Sequence, residues 1–500
     1  MLQLAAVVVI YLALALSYAR ITPPWNNPDE PAHYAYVQYI AERSAFPELR
    51  AGDWDVEALE QLTRVARFSS QVSLDGATYE YHQPPLYYLL ASPLARLTAD
   101  TSLERRFLVL RAFSIALGAA TLLVAFFCAR LVYPRRSELW MATAGVVAFV
   151  PMFTSISASV NNDSLAILLA ACAVWLMLSL VIGGASRRKR ILTGVLVGLL
   201  LLTKLTVYLF APLLLLALAW ASMSQVGSPD AAERRTNWWR ALRPLALALL
   251  IAMLVCGWWF ARNAALYGLL DPLASARHDA VVVGQLRWSQ SGLDPLTALW
   301  TFVSTLFRSF WALFGWMAIV VSQRFYLLYL ALVVMAVVGT RITVRMPGGR
   351  PRDRSRAVPW LIGLSIVGVF GEVVFYNLTF VQPQGRYLFP ALVPLAMCLV
   401  FGWARLARFD GWGWPVRLRV GLVWGWLAAA LTIAIPYLLG VQPNQYALGG
   451  PLAAAVICGL VAAWKGPVWL GHLAQPVLLV ALVALDAACL VGFVARYYAG

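Results

Sequence analysis

The sequence predicts an all-α, polytopic integral membrane protein, and three observations predict it. Of 500 residues, 61 % are hydrophobic and only 12 % are charged, where soluble domains run at about half and about a quarter. Mean hydropathy is +0.72 over the whole length, more apolar surface than one globular core encloses. The apolar residues also fall into runs of roughly 20, the length that crosses a hydrocarbon core at about 1.5 Å per helical residue.

The first run, Leu2–Ile21, has no basic lead and only Ser17-Tyr18-Ala19 as a weak cleavage signal, so it reads as an uncleaved span. A long polar stretch follows at 22–106 and holds most of the acidic residues. Further spans are expected at 107–132, 138–158, 164–183, 191–205, 206–223, 241–262, 324–343, 357–380, 387–404, 420–440, 447–464 and 476–497. The count is about thirteen. Segment 296–320 is apolar but interrupted by Arg308 and Gly315, and reads as a re-entrant or interfacial helix. No internal repeat or detachable soluble domain is visible, so residues 1–500 form a single transmembrane domain with one long loop at 22–106.

Charge gives the orientation. The net charge of +16 comes from 39 Lys and Arg against 23 Asp and Glu, and only Lys189, Lys204 and Lys465 are lysines. The arginines cluster in short loops: 135–136, 187–190, 234–243, 341–356 and 405–419. Membrane orientation requires that pattern, so these loops are expected inside and nucleic acid is excluded as a partner. The polar segments 22–106, 161–163, 263–295 and 382–386 then share the extracytoplasmic side of a cell inner or plasma membrane. Six cysteines lie within apolar runs without a CxxC pair, which indicates neither disulfides nor a thiolate metal site.

The outer loop opens on Asn26-Asn27-Pro28-Asp29-Glu30-Pro31-Ala32-His33. A helix is expected from there to about Arg43, its stripe of Tyr34, Val37, Ile40 and Ala41 suited to the membrane surface. Asn27 with Glu30 makes a capping box, or Asp29 caps the helix with Pro31 in its first turn. Capping needs one acid or amide, and this stretch supplies two acids and a histidine. Asp29 and His33, four apart, share a face. Further on, Tyr79-Glu80-Tyr81-His82-Gln83-Pro84-Pro85 enters another helix, with His82 and Gln83 lacking an evident structural task.

Two cations stand at unusual depths. Lys204 sits in an otherwise apolar run beside Thr203 and Thr206. It either snorkels to the outer surface or, if the helix breaks there, meets a lipid phosphate. Arg386, after Gly385 and before Tyr387, lies at an outer loop tip where arginine is disfavoured, and its guanidinium suits a phosphate. Arg262-Asn263 is similar, or simply ends its helix. Asn161-Asn162-Asp163 cap the span from Ser164 or touch a substrate hydroxyl. Glu372 and Asp486 are acids inside spans that either pair with an arginine or stay unassigned.

Taken in order, Asp29-Glu30, Gln83-Pro84-Pro85-Leu86, Asn161-Asn162-Asp163, Leu202-Thr203-Lys204, Trp259-Phe260-Ala261-Arg262-Asn263 with Tyr267-Gly268, Phe314-Gly315-Trp316-Met317 and Gln384-Gly385-Arg386-Tyr387 form a set over about residues 1–400. That set resembles the membrane glycosyltransferases that use lipid-phosphate sugars. These include protein O-mannosyltransferases and the lipid A aminoarabinose transferase, and the set is most similar to a bacterial multi-pass family within that superfamily. The resemblance implies a GT-C-like fold and Asp29 as general base. The chain departs from oligosaccharyltransferases, having no second DxD-type motif and no large soluble domain after the last spans, so no divalent metal or other cofactor is expected to be required.

The expected function is therefore an inverting transfer of a sugar from a polyprenyl-phosphate carrier to an extracytoplasmic glycan, lipid or protein acceptor. Asp29 would take the acceptor proton, Lys204 and Arg386 would meet the leaving phosphate, and Glu30, His33, His82, Gln83, Asn162, Asp163, Arg262, Asn263 and Tyr387 would contact substrate. The competing class is a transporter or lipid flippase for a glycolipid or anionic substrate, which would place its polar groups near the midplane, often in repeated halves. A metal-dependent hydrolase using Asp29, His33 and His82 ranks third, since no HExxH spacing occurs.

Overall fold

The computed structural model describes residues 2–64, 73–224, 237–341, 353–407, 414–444, 448–465 and 469–499. Arg234, Arg235, Arg345, Arg350, Arg352 and Arg408 of the basic loops lie outside the described residues. The fold is all-α and multi-pass. Among the described residues, ten helices are long and apolar enough to cross a membrane, or eleven crossings if the bent pair Ser137–Ala148 and Pro151–Ser157 counts as one. The only sheet among the described residues joins two-residue strands, Leu313–Phe314 and Ile319–Val320.

Three expected spans come out differently. Segment 138–158 is broken, with a 64° bend where Pro151 starts a second helix. A proline pushes the residue before it out of the helical region, and Val150 is extended at φ −78°, ψ 109°. The spans expected at 191–205 and 447–464 are the helices Arg187–Leu201 and Gly449–Lys465, of 15 and 17 residues, short of the ~20 a full crossing takes. Each packs along a longer neighbour, the first on Asn237–Tyr267 and the second on Trp414–Leu438. Ion pairs, hydrogen bonds and ring contacts gather residues 29, 79, 82, 163, 204, 278 and 386 at one end of the helix that Asp163 begins. Of the described basic loops, Arg187 to Arg190 follow its other end.

The helix Asp163–Gly183 runs through the middle, buried along most of its length against Leu103–Val132 and Phe210–Ser224. Asn237–Tyr267 instead exposes Leu249, Leu250, Met253 and Leu254, the surface a lipid-facing span presents. Some helices touch backbone to backbone. A Cβ on Gly402 would stand 1.9 Å from the carbonyl oxygen of Ala336, so only glycine admits that approach of Leu392–Ala407 to Gln323–Arg341. Asp486 in Trp469–Cys489 pairs with no arginine: its carboxylate oxygens accept from the Tyr18 hydroxyl at 3.0 Å and the Thr154 hydroxyl at 2.9 Å.

The stripe expected to face the membrane surface is packed inside the protein. In the helix Glu30–Arg43, the stripe of Tyr34, Val37 and Ile40 is buried to 4 % exposure or less, and the helix packs on Leu86–Leu97. Tyr34 lies between the Trp25 and Phe107 rings. Protein, not lipid, covers the stripe.

Candidate functional site

Capping does not explain the acidic pair. Asp29 precedes the helix Glu30–Arg43 in a left-handed conformation, φ 62°, and its side chain makes no capping bond. Its backbone carbonyl opens the helix, accepting from the His33 amide at 3.1 Å. Asn27 caps nothing either. The left-handed turn, tolerated by Asp and Asn better than by most side chains, frees the Asp29 carboxylate to face the loops opposite. One oxygen accepts from the Tyr79 hydroxyl at 2.8 Å and the other from an Arg386 terminal nitrogen.

Arg386 is buried, 4 % exposed, on the turn Gly385–Ala391. Gly385 lets that turn sit against the end of Pro295–Trp311, since a Cβ there would lie 2.0 Å from the Phe310 nitrogen. The Arg386 Nε donates to Gln384 at 2.7 Å. Its Nη1 is 3.5 Å from an Asp163 oxygen and forms no hydrogen bond. Asp163 in turn accepts from Lys204 at 2.6 Å. Lys204 lies in an extended break between Arg187–Leu201 and the turn Leu205–Val207, 7 % exposed, so it does not snorkel. Lys204, Asp163, Arg386 and Asp29 therefore form a buried line of alternating charge. Tyr387 lies beside it, its ring 5.3 Å from the Arg386 guanidinium.

Burial alone would raise the Asp29 carboxyl, but Arg386 beside it, with His33 and Lys204 nearby, holds it down to about 2. Burial pushes the His33 imidazole down to about 4 against the opposing pull of Glu80, so the ring is neutral near pH 7. His33 Nδ1 is 2.8 Å from the Tyr88 hydroxyl, which also accepts from the Asn162 amide at 3.3 Å. Burial and the neighbouring His278 lower His82 to about 3. Its Nδ1 donates to the Tyr79 carbonyl at 3.0 Å, and Gln83 approaches its Nε2 at 3.4 Å.

Several expected contacts are spent elsewhere. Glu30 is fully buried, and its oxygens accept from Arg111 at 2.9 and 2.7 Å and from the Val160 amide at 3.0 Å. It is part of the frame, not a substrate contact. Arg262 donates to the Phe46 and Pro47 carbonyls at 3.3 and 2.6 Å, and Asn263 to the Pro272 carbonyl at 3.2 Å. Both pin loops. Within the expected cap, the Asn161 side chain accepts from the Asp163 amide at 2.8 Å, while Asn162 at the N-cap position makes no capping bond.

Sequence reasoning missed Arg111, Tyr79, Glu80, Tyr88 and His278. Arg111 had a signal, an arginine inside an apolar run as telling as Lys204. Its five donors are all used: besides Glu30 they reach the carbonyls of Ala19 at 2.6 Å, Thr22 at 2.7 Å and Pro23 at 3.2 Å. The Phe314-Gly315-Trp316-Met317 motif braces the same segment. It is a hairpin turn with three successive left-handed residues, from which the Trp316 indole donates to the Trp25 carbonyl at 3.0 Å. One group among the described residues has metal-ligand spacing: donor atoms of Asp29, His33 and Glu80 lie within 4.8 Å of one another.

The family model described as "Predicted membrane protein (DUF2142)" matches residues 47–396. ArnT from Cupriavidus metallidurans bound to undecaprenyl phosphate is similar in structure at a TM-score of 0.56 and 14 % identity, covering 99 % of this chain and 77 % of that one. Its apo state gives 0.53 at 15 % identity, with the same coverages of 99 % and 77 %. An Archaeoglobus fulgidus oligosaccharyltransferase tethered with an acceptor peptide gives 0.46 at 14 %, covering 98 % and 55 %. No curated protein matches the sequence. The two ArnT comparisons show that this chain shares the ArnT fold.

Proposed function

We propose that this chain, which belongs to the DUF2142 family of predicted membrane proteins, is a glycosyltransferase that moves a sugar from a polyprenyl-phosphate carrier to an acceptor outside the cytoplasm, with inversion. The observation that carries the reading is Arg386: buried, paired with the Asp29 carboxylate, and holding Nη1 free of any hydrogen bond. One guanidinium thus links the base to the Asp163 carboxylate that Lys204 also holds, with one nitrogen still able to donate to an incoming anion.

A lipid phosphate bound at Lys204 and Arg386 gains one negative charge as the glycosidic bond breaks. Two fixed cations stabilise that charge without a metal, so the reading requires no cofactor. The incoming phosphate also competes with Asp29 for Arg386. As Arg386 turns to the phosphate, burial again dominates at Asp29 and its basicity rises. Asp29 then takes the acceptor's proton while the acceptor oxygen attacks the anomeric carbon opposite the phosphate. A single displacement inverts that carbon. His33, Gln83, Asn162 and Tyr387 line the sugar and acceptor side. The ArnT complex with undecaprenyl phosphate and the gathering of these groups at one end of the helix that Asp163 begins support a lipid-phosphate donor at the extracytoplasmic face.

The test incubates purified full-length protein with radiolabelled undecaprenyl-phosphate sugars and a membrane extract. The expected result is labelled acceptor and released undecaprenyl phosphate. Sugar-lipid movement across proteoliposomes with no bond cleaved would establish a transporter instead.

A further inference from the structure

Among the described residues, Glu80 Oε2 and His33 Nε2 join Arg386 Nη1 as buried polar atoms near Asp29 without a hydrogen-bond partner. Leaving such atoms bare costs free energy, so they mark a position built for a ligand. The chemistry of Glu80 and His33 is complementary. The Tyr88 hydroxyl accepts from Asn162 at 3.3 Å and stands 2.8 Å from His33 Nδ1, and the tautomer in which Nδ1 accepts the Tyr88 proton satisfies both contacts. That tautomer puts the remaining imidazole hydrogen on Nε2, a donor, facing Glu80, an acceptor. Donor atoms of Glu80, His33 and Asp29 lie within 4.8 Å of one another. An oxygen atom between Glu80 and His33 can donate one hydrogen bond to the carboxylate and accept another from the imidazole, which is what a hydroxyl does. An ammonium has no lone pair for His33, and a phosphate no proton for Glu80.

We infer that Glu80 and His33 form a hydroxyl-recognition subsite, which holds a sugar hydroxyl adjacent to the reacting centre while Asp29 serves the attacking oxygen. The inference rests on the glycosyltransferase reading and adds to it the residue pair that selects hydroxylated substrate. The Tyr36 ring, stacked at 3.7 Å on Tyr88, backs the pair from below. The Asp29 side chain keeps 18 % of its surface exposed, which leaves the cluster an opening. The hydroxyl belongs either to the transferred sugar at its second carbon or to the acceptor beside its nucleophile.

The experiment compares wild type, Glu80→Gln and His33→Phe on undecaprenyl-phosphate glucose, mannose and arabinose and on their 2-deoxy counterparts, with thermal melts on each protein. Transfer to membrane-extract acceptor and hydrolysis by water are both counted. Wild type should prefer a 2-hydroxylated donor by about tenfold or more, and both variants should lose the preference. That outcome assigns the hydroxyl to the donor. Equal use of 2-deoxy donors, with Glu80→Gln slowing transfer but not hydrolysis, assigns it to the acceptor. Variants that transfer and discriminate as wild type does overturn the subsite while leaving the transferase standing. So does loss of wild-type transfer on chelation with recovery on added Mn²⁺, which would make the three residues a metal site. A wild type that cleaves none of these donors removes the reading underneath, before any variant is compared.

Discussion

Replacing Arg386 with glutamine tests the link between anion binding and base strength. Arg386 touches Asp29, approaches Asp163 at 3.5 Å and is braced by Gln384 at 2.7 Å. The substitution removes the strongest influence holding the Asp29 carboxyl down, and burial, which raises it, stays. Asp29 should therefore rise from about 2 toward or above the usual carboxylate range. A general base works deprotonated, so the acid limb of kcat/KM lies below the accessible range in wild type and should enter it in the variant. Donor affinity should fall by a charge-assisted hydrogen bond, ~1.5–3 kcal/mol or about 10- to 150-fold in Kd. The folded protein should lose stability as well. A depressed carboxyl contributes stability that is present above about pH 4 and lost as pH falls through about 2, on the order of 2 kcal/mol here. The assay is transfer rate against pH from 3 to 8, with donor titration and thermal melts at pH 7. Superimposable pH profiles and unaltered donor affinity would refute the coupling.

Asp29→Asn should fold and bind donor, because asparagine also accepts the left-handed backbone at φ 62°. It should transfer roughly 10²- to 10⁴-fold more slowly in single-turnover measurements, and near-wild-type rates would leave the carboxylate a structural role only. Lys204→Met should weaken undecaprenyl-phosphate binding by ~1.5–3 kcal/mol, checked by competition with the labelled donor. Arg111→Met should destabilise the protein by about 3–5 kcal/mol, because it strands the buried Glu30 carboxylate. The double variant with Glu30→Gln should recover part of that in chemical denaturation, and additive losses would show that the pair is uncoupled. Asp100→Cys should react with an impermeant maleimide on intact cells and Arg188→Cys only after permeabilisation; the reverse pattern would turn the site inward.

The spans and their order were legible because apolar runs and arginine loops are local properties. The exceptions are instructive. Nothing in 138–158 except Pro151 announces the bend, and the two short helices read as spans because their loops donated apolar residues to the count. Asp29, Lys204 and Arg386 stood out because each sits where its chemistry is costly or superfluous. Their pairing was not legible: Asp29 meets Arg386 across 357 positions, and Lys204 meets Asp163 across 41. Glu30 looked like its neighbour and does the opposite job, because one left-handed residue turns the two acids in different directions. Glu80 sat inside a motif noticed for its histidine and glutamine, and only the fold shows its unpartnered oxygen beside Asp29.

The Arg111 clasp also constrains how the chain is made. The helix Leu103–Val132 must leave the insertion machinery with a guanidinium embedded in it, a burden of up to roughly 2.5–3.5 kcal/mol at bilayer depth for a lone helix. Its carboxylate partner and all three carbonyls come from residues 19–30, already synthesised, and only the Val160 amide arrives afterwards. The first helix with the start of its outer loop therefore supplies every hydrogen-bond partner that the Arg111 guanidinium uses, before the rest of the bundle is made. A lesion at Glu30 would surface first as a nascent chain that fails to integrate and is degraded, so its abundance in the membrane would drop before any enzyme could be isolated to assay.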